Sequence, residues 1–90
     1  MPPKENEHEI ELVFVINGED YPVEANSRAP LVVAVEKALT KSQNTGRPID
    51  EWEVRDIHGV LLDKSQTPHD LGLKHKAHLF LSLRVGAGGN

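Results

Sequence analysis

The sequence predicts an α+β fold, a mixed sheet of four to five strands covered on one face by a single main helix. Three observations point there. An apolar run, Ile10 to Ile16, enters an Asn-Gly turn and is answered by a second alternating segment. One stretch alone, about Leu31 to Lys41, carries helical periodicity. A leucine-alternating strand near the C-terminus then closes the pattern.

The elements follow in order. Ile10-Glu11-Leu12-Val13-Phe14-Val15-Ile16 is rich in β-branched residues and is bounded by Asn17-Gly18, a pair that tolerates positive φ. The answering strand is Tyr21-Pro22-Val23-Glu24-Ala25, with Tyr21, Val23 and Ala25 on one face. Pro22 has no N–H to give to a ladder, so this strand belongs at a sheet edge. Asn26 to Pro30 is a loop ending with proline where a helix starts. Leu31, Val35, Ala38 and Leu39 then form one apolar stripe, with Glu36, Lys37 and Lys41 off it. Gly46 and Pro48 supply the stop signals.

Trp52 and Val54 alternate with Glu53 and Arg55 in a third strand, which makes Trp52 a core residue. His58-Gly59 is its turn, and Val60-Leu61-Leu62 reads as a short further strand. Thr67 to Gly72 reads as a 3₁₀ turn and connector. His78 to Arg84 is the last strand, with Leu79, Leu81 and Leu83 on one face and Phe80, Ser82 and Arg84 on the other. The helix must cross the apolar face of the sheet, because nothing else is there to cover it. Insertion of the last strand beside the first leaves the Pro22 strand at an edge. That arrangement is a β-grasp.

Composition bounds the function. Ninety residues make one small domain. We expect an acidic, disordered arm over residues 1–8, a domain over 9–84 and a flexible tail over 85–90. The net charge of −4 is unsuited to generic binding of phosphate backbones, so no nucleic-acid partner is expected. No stretch approaches the roughly 20 apolar residues of a membrane span, and the polar, acidic start does not resemble a leader. Cysteine is absent, which excludes disulfides, thiol nucleophiles and thiolate metal sites and fits a cytoplasmic setting. Five histidines, His8, His58, His69, His75 and His78, are scattered over an arm, a turn, a connector and a strand. His75 and His78 fall on opposite faces at strand spacing, so no metal site and no cofactor is expected. No catalytic pairing or phosphate loop stands out, so the chain is not expected to be an enzyme.

The segment from Leu71 to Arg84, followed by Gly88-Gly89, resembles the end of ubiquitin: a leucine-alternating strand, an arginine, a diglycine. The resemblance covers residues 9 to 90. Asn44 to Pro48, Trp52 to Asp56 and Leu79 to Leu83 are similar to small bacterial ubiquitin-like proteins encoded beside E1-like, E2-like and JAMM-peptidase-like proteins. Some of those systems are implicated in defence against phage. The resemblance implies a ubiquitin-like β-grasp and a monomeric protein modifier. Its expected partners are an E1-like activating enzyme, an E2-like conjugating enzyme, a JAMM-type peptidase and target proteins.

The tail departs from ubiquitin in its Val85-Gly86-Ala87 spacer and in Asn90 beyond the diglycine. In this family that implies a precursor trimmed after Gly89. Use of the Asn90 carboxylate, or no activation of the tail, stays open. Gly88 and Gly89 lack Cβ and suit a narrow enzyme channel. Extended, Val85 to Gly89 reaches about 16 Å at roughly 3.3 Å per residue. Arg84 is placed to meet an acidic partner residue. Phe80, facing outward, with Arg55 on the neighbouring strand, is the expected docking surface. A non-conjugated interaction module and a sulfur carrier are the alternatives.

Overall fold

The computed structural model describes residues 8–84. Two strands, β1 (Glu9–Ile16) and β2 (Glu19–Asn26), precede one helix, α1 (Leu31–Lys41). A 3₁₀ turn over Ile49–Glu51 leads into β3 (Trp52–Arg55), and β4 (Ala77–Leu83) follows after a long connection. Among the described residues the sheet has four strands in the order β2-β1-β4-β3. β1 pairs antiparallel with β2 and parallel with β4, and β3 pairs antiparallel with β4. The sheet is therefore mixed, and the fold is an α+β β-grasp.

Asn17 (φ 53°) and Gly18 (φ 82°) make the two-residue turn between Ile16 and Glu19. Positive φ at both centres matches the right-handed twist of the flanking strands. The register then sets the two faces. Ile10, Leu12, Phe14 and Ile16 lie opposite Ala25, Val23, Tyr21 and Glu19 on β2, and Phe14 and Ile16 lie opposite Leu79 and Leu81 on β4. These side chains pack on Leu31, Ala34, Val35, Ala38 and Leu39 of α1, the expected stripe with Ala34 added. Trp52 and Val54 complete the core as expected.

β2 is an edge strand, and the edge is closed by side chains. Lys37 donates from Nζ to the Glu24 carbonyl at 3.0 Å, and Lys41 donates to the Pro22 carbonyl. The two lysines are one helical turn apart, so they reach alternate carbonyls on the open side of β2. Pro22 stands where its N–H would also face outward, so the ladder loses nothing.

The helix ends are tied by distant and local main chain. Leu31 and Val32 donate to the carbonyls of Gln66 (2.8 Å) and Lys64 (3.0 Å), which replace a side-chain cap at Pro30. At the other end Asn44 donates to Leu39 and Gln43 to Thr40, with Gln43 left-handed at φ 63°. That is a Schellman closure, with its left-handed residue three positions before Gly46.

Two expectations about the second half are corrected. Val60 to Leu62 is not a strand: Leu61 makes one bridge to Arg55. The Asp56 carboxylate gathers the N–H groups of His58 (2.8 Å) and Val60 (3.0 Å), winding the chain so tightly that one residue pairs before it turns away. The Thr67 to Gly72 stretch is a run of turns around buried Pro68 rather than a 3₁₀ turn. Leu83 points with Leu79 and Leu81 but is 38% exposed, because it lies at the end of β4 where the core stops.

Residues 1–7 of the expected acidic arm, and the whole expected tail from 85 to 90, lie outside the described residues. His8, which closes the arm as read from sequence, accepts from Ser27 N–H at 2.6 Å.

Candidate partner-binding surface

The sheet face away from α1 is built by alternation. Odd positions of β1 and even positions of β4 point outward, because their neighbours fill the core. Phe80 lies opposite Val15 on one side and Arg55 on the other, and Arg55 bridges to Leu61. One row thus crosses the sheet: Leu61, Arg55, Phe80, Val15, Asp20. Beside it run His78, Val13 and Pro22, and on the other side Ser82 and Glu53.

Phe80 is 44% exposed, with its other half leaning on the sheet. Arg55 is held over Glu53 by a 2.9 Å ion pair between residues two apart on the same strand face. The pair is partly exposed, so its contribution to stability is small, and it is the strand register that sets Arg55 beside Phe80. The structure therefore brings Phe80 and Arg55 together.

Arg84 stands apart from them. Its N–H donates to the Glu51 carbonyl at 2.7 Å and its Nη1 reaches the Asp50 carbonyl at 3.5 Å, which turns it toward the 3₁₀ segment. Gly88, Gly89 and Asn90, the expected conjugation and processing residues, lie outside the described residues.

Sequence reasoning missed some of this surface. Ile57 is 65% exposed, and Val60 and Leu61 are each 54% exposed. They flank the Asp56 turn next to the Arg55 end of the row. Reading Val60 to Leu62 as a strand hid them; the available signal was three large apolar residues flanking His58-Gly59 in so short a turn. Asp56 itself is held below the ordinary carboxylate range, first by the Val60 N–H and then by the His58 N–H and ring.

Among the described residues no group of three His, Asp or Glu is placed to hold a metal ion. His75 instead accepts the Glu11 N–H through Nδ1 at 3.1 Å. No helix of the described residues is long and apolar enough to cross a membrane.

Fold and surface together define a β-grasp domain whose outer sheet face mixes apolar residues around Phe80 with charged ones, Arg55 among them. A family model described as "Protein of Unknown function (DUF2604)" matches residues 5–89, and the chain belongs to that family. It is 42% identical over 80 residues to the uncharacterized protein y4jI of Sinorhizobium fredii, a match covering 89% of this chain and 62% of that protein. The chain thus spans less than two thirds of that relative's length. A solved structure of Arabidopsis thaliana At2g32350 superposes with a TM-score of 0.68 at 15% identity, covering 86% of this chain and 88% of that one. That likeness is one of fold alone.

Proposed function

We propose that the chain is a ubiquitin-like protein modifier, trimmed after Gly89 and activated through the new carboxylate by an E1-like enzyme. An E2-like enzyme then joins it to target proteins. The observation that carries this reading is the last strand. β4 lies in the middle of the sheet and runs out at Leu83 directly into Arg84 and the Val85 to Gly89 sequence. A rigid body and an extensible diglycine segment are what such chemistry needs of its substrate.

The steps place the burden on the enzymes. The Gly89 carboxylate attacks the α-phosphorus of ATP and pyrophosphate leaves. An enzyme thiolate then attacks the acyl-adenylate and AMP leaves. A target amine finally attacks the thioester, loses its proton and releases the thiol. The carrier contributes reach and a recognisable surface: Phe80 and Arg55 on the sheet, and Arg84 at the root of the tail. We assign a JAMM-type peptidase to the trimming of Asn90. The bacterial source of the y4jI relative supports a bacterial setting, which we take to be cytoplasmic and antiviral.

Intact mass spectrometry tests this. The full chain is mixed with ATP and with E1-like and JAMM-type proteins of the kind encoded beside small bacterial ubiquitin-like proteins. Loss of Asn90 followed by a thiol-labile enzyme adduct is expected. With sulfide added as sulfur donor, its attack on the acyl-adenylate with loss of AMP, read as exchange of one oxygen for sulfur at the terminus, would instead assign a sulfur carrier. An unchanged mass, with enzymes active on a known substrate, refutes the modifier reading in favour of a non-conjugated binding module.

A further inference from the structure

At the end of the sheet where β4 runs out, the β1–β2 turn and the residues after α1 meet the ends of β3 and β4. They enclose an open hollow of about 580 Å³. Trp52, Leu81 and Leu83 supply its apolar wall, and Asn17, Gln43 and Asn44 stand on its rim. No carboxylate lines it among the described residues. The one lining cation, Arg47, is paired with Glu51 at 2.9 Å. Asn17 and Gln43 have no side-chain hydrogen bond among the described residues, so both carboxamides offer a donor and an acceptor. Asn44 has committed its amide nitrogen to Ser42 and keeps its oxygen.

A second observation is independent of this shape. Trp52 is 5% exposed, and its indole Nε1 is the buried side-chain polar atom without a hydrogen-bond partner among the described residues. A buried donor without an acceptor is rare in folded proteins and calls for an explanation. An occupant of the wall it belongs to would supply one. The wall is neutral, apolar below and rich in amides above. Its complement is a peptide backbone carrying an aliphatic side chain, rather than a phosphate, a free acid or a cation.

We propose that this hollow is a binding site for an extended peptide segment of the protein that takes the tail. One aliphatic side chain sits on Trp52, Leu81 and Leu83, and its flanking amides pair with Asn17 and Gln43. Its carbonyl accepts the Trp52 N–H, which the indole must turn to expose because the atom is buried in the free domain. The choice of partner rests on the modifier reading above. Leu83 lines the hollow and immediately precedes Arg84, so a protein gripping the tail lies alongside it.

The test uses the full chain labelled with ¹⁵N and two probes, N-acetyl-leucine N-methylamide and its glycine counterpart. Trp52 is the sole tryptophan, so its indole N–H signal is unambiguous. The leucine probe is expected to move that signal and the Asn17 and Gln43 carboxamides saturably. It should bind roughly tenfold more tightly than the glycine probe, which lacks the apolar carbons. Gly46→Phe blocks the hollow: a Cβ there meets nothing within 4 Å and the backbone is not left-handed. The variant should fold normally and lose the shifts. Shifts that persist in Gly46→Phe, or an indole that does not move, overturn the site.

E1 loading separates the site from the reading. Gly46→Phe is expected to raise KM for the chain about tenfold with kcat retained. If the probe binds and Gly46→Phe loads with the wild-type KM, the assignment of the occupant to that partner is overturned and the modifier reading stands. If the wild-type chain never loads, the modifier reading fails, and with it that assignment.

Discussion

Replacing Phe80 by alanine separates a docking residue from a core residue. A fully buried Phe gains about 1.5–3 kcal/mol from leaving water. Phe80 keeps 44% of its surface exposed, so a little over half of that gain is in play. The ring stands on the outer face, and its removal opens the surface without leaving a cavity. The expected loss is therefore about 1–1.5 kcal/mol. For a domain of this size that lowers Tm by about 4–12 °C. Phe14, which is fully buried against α1 and β4, gives the internal comparison. Phe14→Ala should lose about 3–5 kcal/mol, because a cavity is added to the transfer loss. Thermal melts of both variants by circular dichroism read the difference. Titration of Phe80→Ala with a captured partner should show affinity reduced at least tenfold, about 1.4 kcal/mol. If Phe80→Ala destabilises as much as Phe14→Ala, the outward placement of Phe80 and the surface built on it are wrong.

Further predictions concern the tail, the edge and the Asp56 turn. Gly89→Ala is expected to abolish adduct formation with Tm unchanged; efficient adducts from this variant, seen by mass, would sink the diglycine assignment. Lys37→Met with Lys41→Met keeps the aliphatic stems but uncaps two edge carbonyls, so stability should fall by about 0.5–1.5 kcal/mol and light scattering should rise with concentration. Equal stability and solubility would show that the edge is protected by Pro22 alone. Asp56 has a lowered pKa in the folded protein, so the unfolded chain binds its proton more readily. Its contribution is present above the unfolded carboxylate value of about 3.9 and is lost as pH falls through the lowered folded value. The stability gap between wild type and Asp56→Asn should close on going from pH 7 to pH 3 in urea titrations; a gap that is constant with pH contradicts this.

What was legible in the sequence was what short-range chemistry decides. Asn17-Gly18 announced its turn because few other pairs tolerate two positive φ values in succession. The bounds of α1 and the edge position of Pro22 followed from a repeating stripe and a missing N–H. The neighbours Phe80 and Arg55 followed from alternation once the last strand was placed. What escaped depends on residues distant in the chain. The helix start is satisfied by carbonyls at Lys64 and Gln66, more than thirty positions on, and no local pattern announces that. The helix stop fell to Gln43, an unusual left-handed residue, rather than to the glycine that propensity favours. Val60 to Leu62 has strand composition, but the Asp56 carboxylate decides its path. The hollow beside Trp52 is assembled from four separate segments, so it exists only in three dimensions.

The parallel pairing of β1 with β4 also governs how the domain answers a pulling force. A load entering through the tail arrives at the C-terminal end of β4. A load held at the chain's start leaves through the N-terminal end of β1. The strands are parallel, so these points sit at opposite ends of the shared ladder from Leu12 and Ala77 to Ile16 and Leu81. Tension between them slides one strand along the other and strains every rung at once. The two antiparallel pairs, pulled from their open ends, would instead come apart rung by rung. A motor drawing this chain by its tail must therefore break the central ladder in a single event, and the domain behaves under tension as a latch and not as a zipper.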